Sequence, residues 1–318
     1  MKVAIGFDTS CYTTSVAAVD SEGNVVTSQR LLLPVVSGQR GLRQSEAVFA
    51  HVRQLPQLTK AASGFLGGST ICAVAAATAP RDEEGSYMPV FRVGESHGKT
   101  LANMLHIPFF GFSHQQGHIA AGQLGIGALP ERFVAMHISG GTTEVLQSNG
   151  GTLTLLGGTK DLHAGQLIDR VGVAMGLAFP AGPALEELAM QGITTVRALL
   201  PASLSRNDLD CHLSGAETQC QQWIARGEPG NSQIAAEVFD MLARTIARML
   251  AAGCSKAGVS HALVVGGVAS SHLLRELIRN RLAKNGAPVT VHFGQAQYSA
   301  DNAAGIAWLG MKRYLQQR

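Results

Sequence analysis

Two histidines four residues apart are the residues of this sequence whose types and spacing most directly suggest chemistry. His114 and His118 belong to the stretch SHQQGH at positions 113–118, which lies between an apolar run and a run of small residues. On a helix, side chains at i and i+4 share one face, with Cβ atoms about 6 Å apart, so both imidazoles can reach one metal ion. The pair therefore predicts half of a metal site. The alternative is that it is two unrelated polar residues on a helix.

The residue after the first histidine argues against one class of enzyme. In the zinc-protease signature that position is a glutamate, which serves as the general base. Here it is Gln115, whose amide cannot take a proton. The ligand half of that motif is present and the hydrolytic half is absent, so a metalloprotease is disfavoured.

The composition narrows the class of protein. A length of 318 residues suggests two domains, and 37 glycines with only 15% charged and 5% aromatic residues are typical of a glycine-punctuated α/β protein. There is no run of 18 apolar residues, and the N-terminus shows no signal-peptide pattern. The five cysteines form no C-x-x-C pair, which favours a cytoplasmic location. A net charge of +3 is too small for a nucleic-acid footprint, so handling RNA would need a local patch or a partner.

A repeated hairpin pattern indicates two similar halves. At residues 6–16, and again at 138–145, a buried strand ends in a small polar turn and a second strand opens on a Thr-Thr pair. Turns of Ser, Thr and Gly present backbone N–H groups and let a phosphate approach closely. We therefore predict a duplicated architecture whose halves face each other across a cleft. The alternative for either hairpin alone is that Gly-Gly merely makes a tight turn.

Hydrophobic periodicity predicts the elements around these turns. Strands are expected at residues 3–8, 14–19, 25–33, 71–77, 107–112, 133–138, 144–147, 153–156, 262–265 and 289–293. Helices are expected at 45–65, 94–105, 164–177, 183–190, 231–257, 269–284 and 300–315. Pro56 should kink or split the first helix. The helix at 231–257 has an apolar residue every four positions, which favours burial against a sheet.

Eight short motifs, in order along nearly the whole chain, together resemble one family. They are GFDTSC at 6–11, HQQGH at 114–118, ISGG at 138–141, AGQLIDR at 164–170, PAGPAL at 180–185, LSG at 213–215, GGV at 266–268 and ADNAA at 300–304. The set is similar to the TsaD type of tRNA threonylcarbamoyladenosine synthases, formerly called glycoproteases. The resemblance implies an α/β class with the duplicated fold of actin, sugar kinases and Hsp70, in which two lobes surround a nucleotide cleft. The lobes are expected at residues 1–125 with 300–318, and at residues 126–299.

The resemblance also implies where ligands bind. The metal site falls on His114, His118 and Asp301, a set of two imidazoles and one carboxylate that suits Fe(II) or Zn(II). Contacts to an adenine nucleotide or acyl-adenylate fall on eight residues: His137, Ile138, Ser139, Gly140, Gly141, Asp169, Gly182 and Ser271. The alternative for Asp301 is a helix cap, and the alternative for Asp169 is a solvated pair with Arg170. No catalytic nucleophile is assigned.

The activity implied by the resemblance is acyl transfer. In the family, a threonylcarbamoyl group passes from an activated adenylate to the exocyclic amine of an adenine beside the tRNA anticodon. A Lewis acid polarises the carbonyl while loop N–H groups hold the phosphate leaving group. The resemblance further implies that tRNA is held with a partner subunit, in a heterodimer with a TsaB-like protein of the actin fold. Four basic residues of one predicted helix suggest an RNA patch, against the alternative of a solvated face: Arg275, Arg279, Arg281 and Lys284.

Several positions depart from the family motifs. Tyr12 and Thr13 replace Asp-Glu, Gln116 replaces Glu, Thr142 replaces His, Glu217 replaces Lys, Ser271 replaces Asn, and residues 79–85 replace a Gly-Pro-Gly loop. These changes predict that metal and nucleotide binding are better preserved than transfer, as in a divergent paralogue. Two alternatives to an active tRNA enzyme stay open. One is a regulatory protein that binds metal and nucleotide, and the other is a carbamoyl-type transferase for another acceptor.

Overall fold

The structure is a computed structural model that describes residues 1–34, 43–192, 198–300 and 302–317. It divides into two compact units, Met1–Ala128 with Gln297–Arg318, and Leu129–Ala296. Each unit contains one five-stranded sheet covered by helices, and each is described by itself.

Each unit begins with three consecutive strands, and helices and further strands follow. The strands are β1 Lys2–Thr9, β2 Thr13–Asp20, β3 Val25–Leu32, β4 Thr70–Ala79, β5 Phe109–Ser113, β6 Arg132–Ile138, β7 Thr143–Asn149, β8 Thr152–Gly158, β9 His261–Val265 and β10 Thr290–Phe293. The helices are α1 Gln44–Ser63, α2 Phe91–Leu105, α3 His114–Ala121, α4 Ala164–Ala174, α5 Gly182–Met190, α6 Ser214–Arg226, α7 Asn231–Ala257, α8 His272–Lys284 and α9 Ala304–Gln316.

The two sheets have the same topology. The strand order is β3-β2-β1-β4-β5 in the first and β8-β7-β6-β9-β10 in the second. In each, the first strand pairs antiparallel with the second and parallel with the fourth. The hairpin turns are equivalent too, since Thr9 pairs with Thr14 and Ile138 with Thr143. The predicted α/β class and its duplication are confirmed.

The first strand is buried on both faces, which explains its unbroken apolar sequence. Val3, Ile5 and Phe7 pack in a cluster with residues of α1 and α2. On the other face, Ala4 packs in a cluster with Met311 of α9. β1 therefore lies between helices, and its C-terminal end reaches the surface at the turn that follows Thr9.

The first helix and the helix near residue 270 differ from the sequence prediction. The first helix was expected to kink or split at Pro56, but α1 runs unbroken from Gln44 to Ser63. Pro56 is exposed, so the backbone bond it cannot make faces water rather than the core. The helix expected at 269–284 begins instead at His272, because a short 3₁₀ turn occupies 267–270 and Ser271 caps the helix.

Candidate active site

The two predicted metal-binding histidines lie side by side on α3. Nε2 of His114 and Nε2 of His118 are 3.1 Å apart, and the rings meet edge to face with centroids 4.5 Å apart. Both rings are partly buried. The helix begins at His114 because Ser113 caps it: the Ser113 hydroxyl accepts the N–H of Gln116 at 3.1 Å.

A buried carboxylate orients the first histidine. Asp8 lies near the end of β1, is 2% exposed, and places Oδ2 2.7 Å from Nδ1 of His114. A carboxylate at this position keeps the proton on Nδ1, so Nε2 of His114 presents a lone pair. The N–H of His118 Nε2 then donates to that lone pair, and binding of an ion would require His118 to take its other tautomer.

The donor atoms fit one divalent ion. With metal–nitrogen distances of about 2.1 Å, two nitrogens 3.1 Å apart subtend about 95° at the ion, within the range of tetrahedral and octahedral sites. The third predicted ligand, Asp301, lies outside the described residues. Within the part of the chain that the structure describes, no group of three His, Cys, Asp or Glu residues could hold a metal ion.

Replacing Asp8 with asparagine should weaken metal binding about 10- to 100-fold, because losing the outer carboxylate leaves His114 without a fixed tautomer. Asparagine has the size of aspartate, so the fold should be retained. Titration of the metal-free chain with Fe(II) and with Zn(II) measures the effect. Asp20→Asn is the matched control, since Asp20 is the last residue of β2 and accepts a hydrogen bond from the Asn24 side chain. Equal affinities for both variants would contradict the assigned role of Asp8.

Close packing and a loop fix α3. A Cβ at Gly305 of α9 would overlap the carbonyl oxygen of Gly117, so the two helices cross with their backbones in contact. The loop that replaces the family's Gly-Pro-Gly sequence lies against the start of α3. Pro80 O accepts the N–H of Gln115 at 3.1 Å, and Nε2 of Gln116 donates to Oδ2 of Asp82 at 3.2 Å. Gln116 therefore joins the loop to the histidine helix.

The first hairpin turn differs from the prediction that it offers its N–H groups to a phosphate. The Ser10 hydroxyl accepts the N–H of Tyr12 at 3.3 Å and that of Thr13 at 3.1 Å. The turn therefore satisfies these groups itself, as Ser and Thr often do in tight turns. From α1, fully buried His51 places Nε2 2.9 Å from the Ser10 carbonyl oxygen and Nδ1 2.7 Å from the Thr14 hydroxyl.

The second unit contains a cavity of about 370 Å³ beside its own hairpin, a size typical of small-molecule sites. Four of the eight predicted ligand contacts line it: Gly140, Asp169, Gly182 and Ser271. Other lining residues that the sequence reading did not select include Gly165, Ile168, Pro183, Glu186, Phe239, Gly267, Val268 and Ser270. The start of α4 closes against the hairpin, because a Cβ at Gly165 would lie 2.7 Å from Gly140 N.

Three polar side chains of the cavity each accept a hydrogen bond from a backbone N–H group. Asp169 Oδ1 accepts the N–H of Ala181 at 2.8 Å, which leaves Oδ2 for a ligand. Ser271 Oγ accepts the N–H of Leu274 at 3.0 Å, which leaves its hydroxyl proton to donate. Glu186 Oε1 accepts the N–H of Leu273 at 2.8 Å. Glu186 directly follows the PAGPAL motif. Extending that motif by one residue would have included Glu186 among the predicted ligand contacts.

The other four predicted contacts do not line the cavity. Ile138 is fully buried in the core of the unit, and His137 is 6% exposed within β6. In the turn, the Ser139 hydroxyl accepts the N–H of Gly141 at 3.3 Å. Their roles in ligand binding stay predictions.

Contacts of the arginine side chains bear on two of the alternatives raised by the sequence. Arg170 pairs with Glu217 at 3.2 Å and not with Asp169, so the charge reversal at 217 produces an ion pair across α4 and α6. On α8, Arg275 donates to the carbonyl oxygen of Gly294 at 2.6 Å, and Arg281 pairs with Asp240 at 2.5 Å. These contacts within the unit favour a structural role for α8 over an RNA patch.

Comparison with known proteins assigns the family. The family model described as TsaD, tRNA N6-adenosine threonylcarbamoyltransferase, matches residues 25–308. The chain belongs to the TsaD family. It is 31% identical to the tRNA N6-adenosine threonylcarbamoyltransferase of Thiobacillus denitrificans over 98% of this chain and 91% of that protein. It is also 29% identical to a probable bifunctional tRNA threonylcarbamoyladenosine biosynthesis protein of Methanothermobacter thermautotrophicus, covering 98% of this chain and 56% of the relative.

Solved structures establish the fold of this TsaD-family chain. A ROK family glucokinase from Streptomyces griseus matches with a TM-score of 0.54 at 15% identity, covering 98% of this chain and 99% of the enzyme. HypF from T. kodakarensis matches with a TM-score of 0.62 at 13% identity, covering 99% of this chain and 47% of HypF. The predicted fold of actin, sugar kinases and Hsp70 is confirmed. None of the described helices is long and apolar enough to cross a membrane.

Proposed function

We propose that this TsaD-family chain is an acyltransferase that moves a threonylcarbamoyl group from threonylcarbamoyl-adenylate to the exocyclic amine of an anticodon-loop adenine in tRNA. The observation that carries the proposal is a buried carboxylate that orients one of two histidines whose ring nitrogens lie 3.1 Å apart, in a member of this family. The two units are proposed as the two lobes of the fold, divided near residues 125 and 299.

The cavity of the second unit is proposed to hold the adenylate. Its volume suits a nucleoside, and the open space at Gly140 allows a phosphate to lie against the backbone of the hairpin. Asp169 can accept a ribose hydroxyl through Oδ2, and the Ser271 hydroxyl can donate a proton to the ligand.

The histidine pair is proposed to hold one divalent ion, iron or zinc, with Asp301 as the third ligand. When bound, such an ion supplies a Lewis acid for the acyl carbonyl. The chain's own contribution is positioning. Asp8 fixes the tautomer of His114, and the α3–α9 crossing at Gly117 fixes the helix. No side chain is assigned as a nucleophile.

A partner subunit of the TsaB-like actin fold is proposed to assist with tRNA. Phe49 and Val52 share one face of α1 and are 63% and 47% exposed, which offers an apolar patch for such a partner. A cytoplasmic location is also proposed. It is consistent with the five cysteines, which are all free in the structure.

Reconstitution tests the proposed function. Purified chain, a TsaB-like partner, divalent metal, threonylcarbamoyl-adenylate and unmodified tRNA should yield the modified nucleoside by mass spectrometry. Asp169→Ala should reduce nucleotide affinity about 10-fold or more, whereas Asp169→Asn should be milder because it keeps the bond to Ala181. Bound metal and nucleotide without product would overturn transfer to tRNA and favour the regulatory role.

A further inference from the structure

Tyr12 lies in a turn whose backbone is held by several hydrogen bonds. The Ser10 hydroxyl accepts the N–H groups of Tyr12 and Thr13, and buried His51 bonds the Ser10 carbonyl oxygen. The Tyr12 side chain is nevertheless 61% exposed. A rigid turn that presents a solvated aromatic ring is pre-organised to bind something flat, because little conformational entropy is left to lose.

A second exposed tyrosine lies on the neighbouring segment. Tyr87 is 58% exposed, and the guanidinium of Arg92 lies 5.1 Å from the centre of its ring. The two segments adjoin. Cys11 directly precedes Tyr12, Met88 directly follows Tyr87, and Sγ of Cys11 lies 3.8 Å from Sδ of Met88.

Both tyrosines belong to segments that contact the histidine pair through other residues. Asp8, four residues before Tyr12, contacts Nδ1 of His114. Phe91, four residues after Tyr87, packs its ring 5.6 Å from the ring of His114. The two segments that carry the exposed rings therefore meet at His114, one of the candidate metal ligands.

We propose that Tyr12 and Tyr87 form an aromatic platform on which unstacked bases of the acceptor RNA loop stack beside His114, an inference that rests on the proposed function. Every nucleobase has a flat face, and stacking on an aromatic side chain stabilises binding by about 1–3 kcal/mol per base. Neither tyrosine belongs to a motif shared with the family, since Tyr12 replaces an acidic residue and Tyr87 follows the loop that replaces Gly-Pro-Gly.

The charges nearby favour contact through bases rather than phosphates. The loop before Tyr87 carries three exposed acids, Asp82, Glu83 and Glu84, and Arg92 is already paired with Glu95 at 2.5 Å. This surface would repel the RNA backbone, whereas stacking is indifferent to charge. The contribution of the platform to affinity should therefore depend little on salt, unlike phosphate contacts.

The test uses the full chain with its metal and partner, and an anticodon stem-loop carrying 2-aminopurine in place of the acceptor adenine. Tyr12→Ala and Tyr87→Ala should each raise the Kd about 10-fold and relieve the quenching of 2-aminopurine. Tyr12→Phe and Tyr87→Phe, which keep the ring, should stay within about twofold of the wild type. Phe65→Ala is the matched control, because Phe65 is 59% exposed and lies near the start of β4, at the opposite end of β1.

The outcomes separate this inference from the proposed function. RNA affinity and quenching unchanged in both alanine variants would overturn the platform while leaving transfer intact. Loss of partner binding with unchanged RNA binding would make the surface a protein interface and also overturn it. Absence of transfer in the wild type, with RNA still bound through the tyrosines, would overturn the proposed function alone. Metal content should not change in any of the tyrosine variants. Tyr12→Leu removes the aromatic ring but keeps an apolar side chain, so it distinguishes the loss of the ring from the loss of folding.

Discussion

Replacing both His114 and His118 with alanine should leave the purified chain without stoichiometric metal and without transfer activity. The two Nε2 atoms are 3.1 Å apart, so they are expected to bind the same ion. In the double variant only the carboxylate of the proposed third ligand, Asp301, would remain, and one carboxylate is a poor site for iron or zinc. Metal content is measured by elemental analysis after purification, and transfer by mass spectrometry of the tRNA nucleosides. The folded structure should survive, because both rings are partly exposed.

His106→Asn is the control for the double variant. His106 is an exposed histidine at the end of α2 with φ of 53°, a conformation that asparagine tolerates. It should keep full metal content. If the double variant retained as much metal as this control, the metal site would have to be elsewhere, even if transfer were lost.

Acid should destabilise the chain through His51 by about 3 kcal/mol, the free energy that corresponds to a pKa lowered from 6.5 to about 4. Burial lowers the pKa of His51 from 6.5 to about 4, because the ring is fully enclosed, even though the bond to the Ser10 carbonyl favours its charged form. The unfolded chain therefore binds a proton that the folded chain excludes. This stabilisation is complete above pH 6.5 and is lost as the pH falls to about 4.

Urea unfolding at several pH values between 4 and 6.5 measures this effect. His51→Gln should be less stable at neutral pH, because one buried bond is remade imperfectly, but it should lose less stability on acidification. His106→Asn is the control, because it replaces an exposed histidine. Parallel curves for the wild type and His51→Gln would show that the ring does not titrate as its burial requires.

The duplicated topology could be predicted because it depends on local patterns. The Thr-Thr pairs lie at the starts of β2 and β7. At these points a short hairpin turn fixes the register of the two strands within a few residues. The helix predicted at 231–257 has the same limits in the structure, since its four-residue apolar stripe is long and uninterrupted. Helix starts were less accurate. α9 begins at Ala304 rather than at residue 300, because the Asn302 side chain accepts the N–H of Ala304.

One helix was not predicted although its signals were present. α6 begins at Ser214, with Glu217 three residues later and Gly227 just beyond its end. Its start depends on a side chain distant in sequence. Asp161 accepts the N–H groups of Leu213 and Ser214. Partial desolvation acts to raise the pKa of Asp161, but hydrogen bonds from the Ser214 hydroxyl and from the N–H groups of Leu162, Leu213 and Ser214 lower it to about 2. Such a cap cannot be read from local sequence.

The candidate site shows the same division between local and distant information. The spacing of the two histidines predicted that they share one face of a helix. It could not predict the contact with the carboxylate of Asp8, which comes 106 residues earlier in the chain. The first hairpin was expected to offer its N–H groups to a phosphate, yet those of Tyr12 and Thr13 donate to the Ser10 hydroxyl. Residue type shows that a turn has donors, and only the folded backbone shows whether those donors are already bonded.

The bond between Gln116 and Asp82 has a consequence for how this sequence can vary. Where the family has a glutamate and a glycine-rich loop, this chain has an amide donor and a carboxylate acceptor, 3.2 Å apart. Restoring the glutamate alone would set two carboxylates against each other, and removing the aspartate alone would leave the amide without this acceptor. The two positions should therefore be epistatic, so that loop and helix residues are exchanged together or not at all.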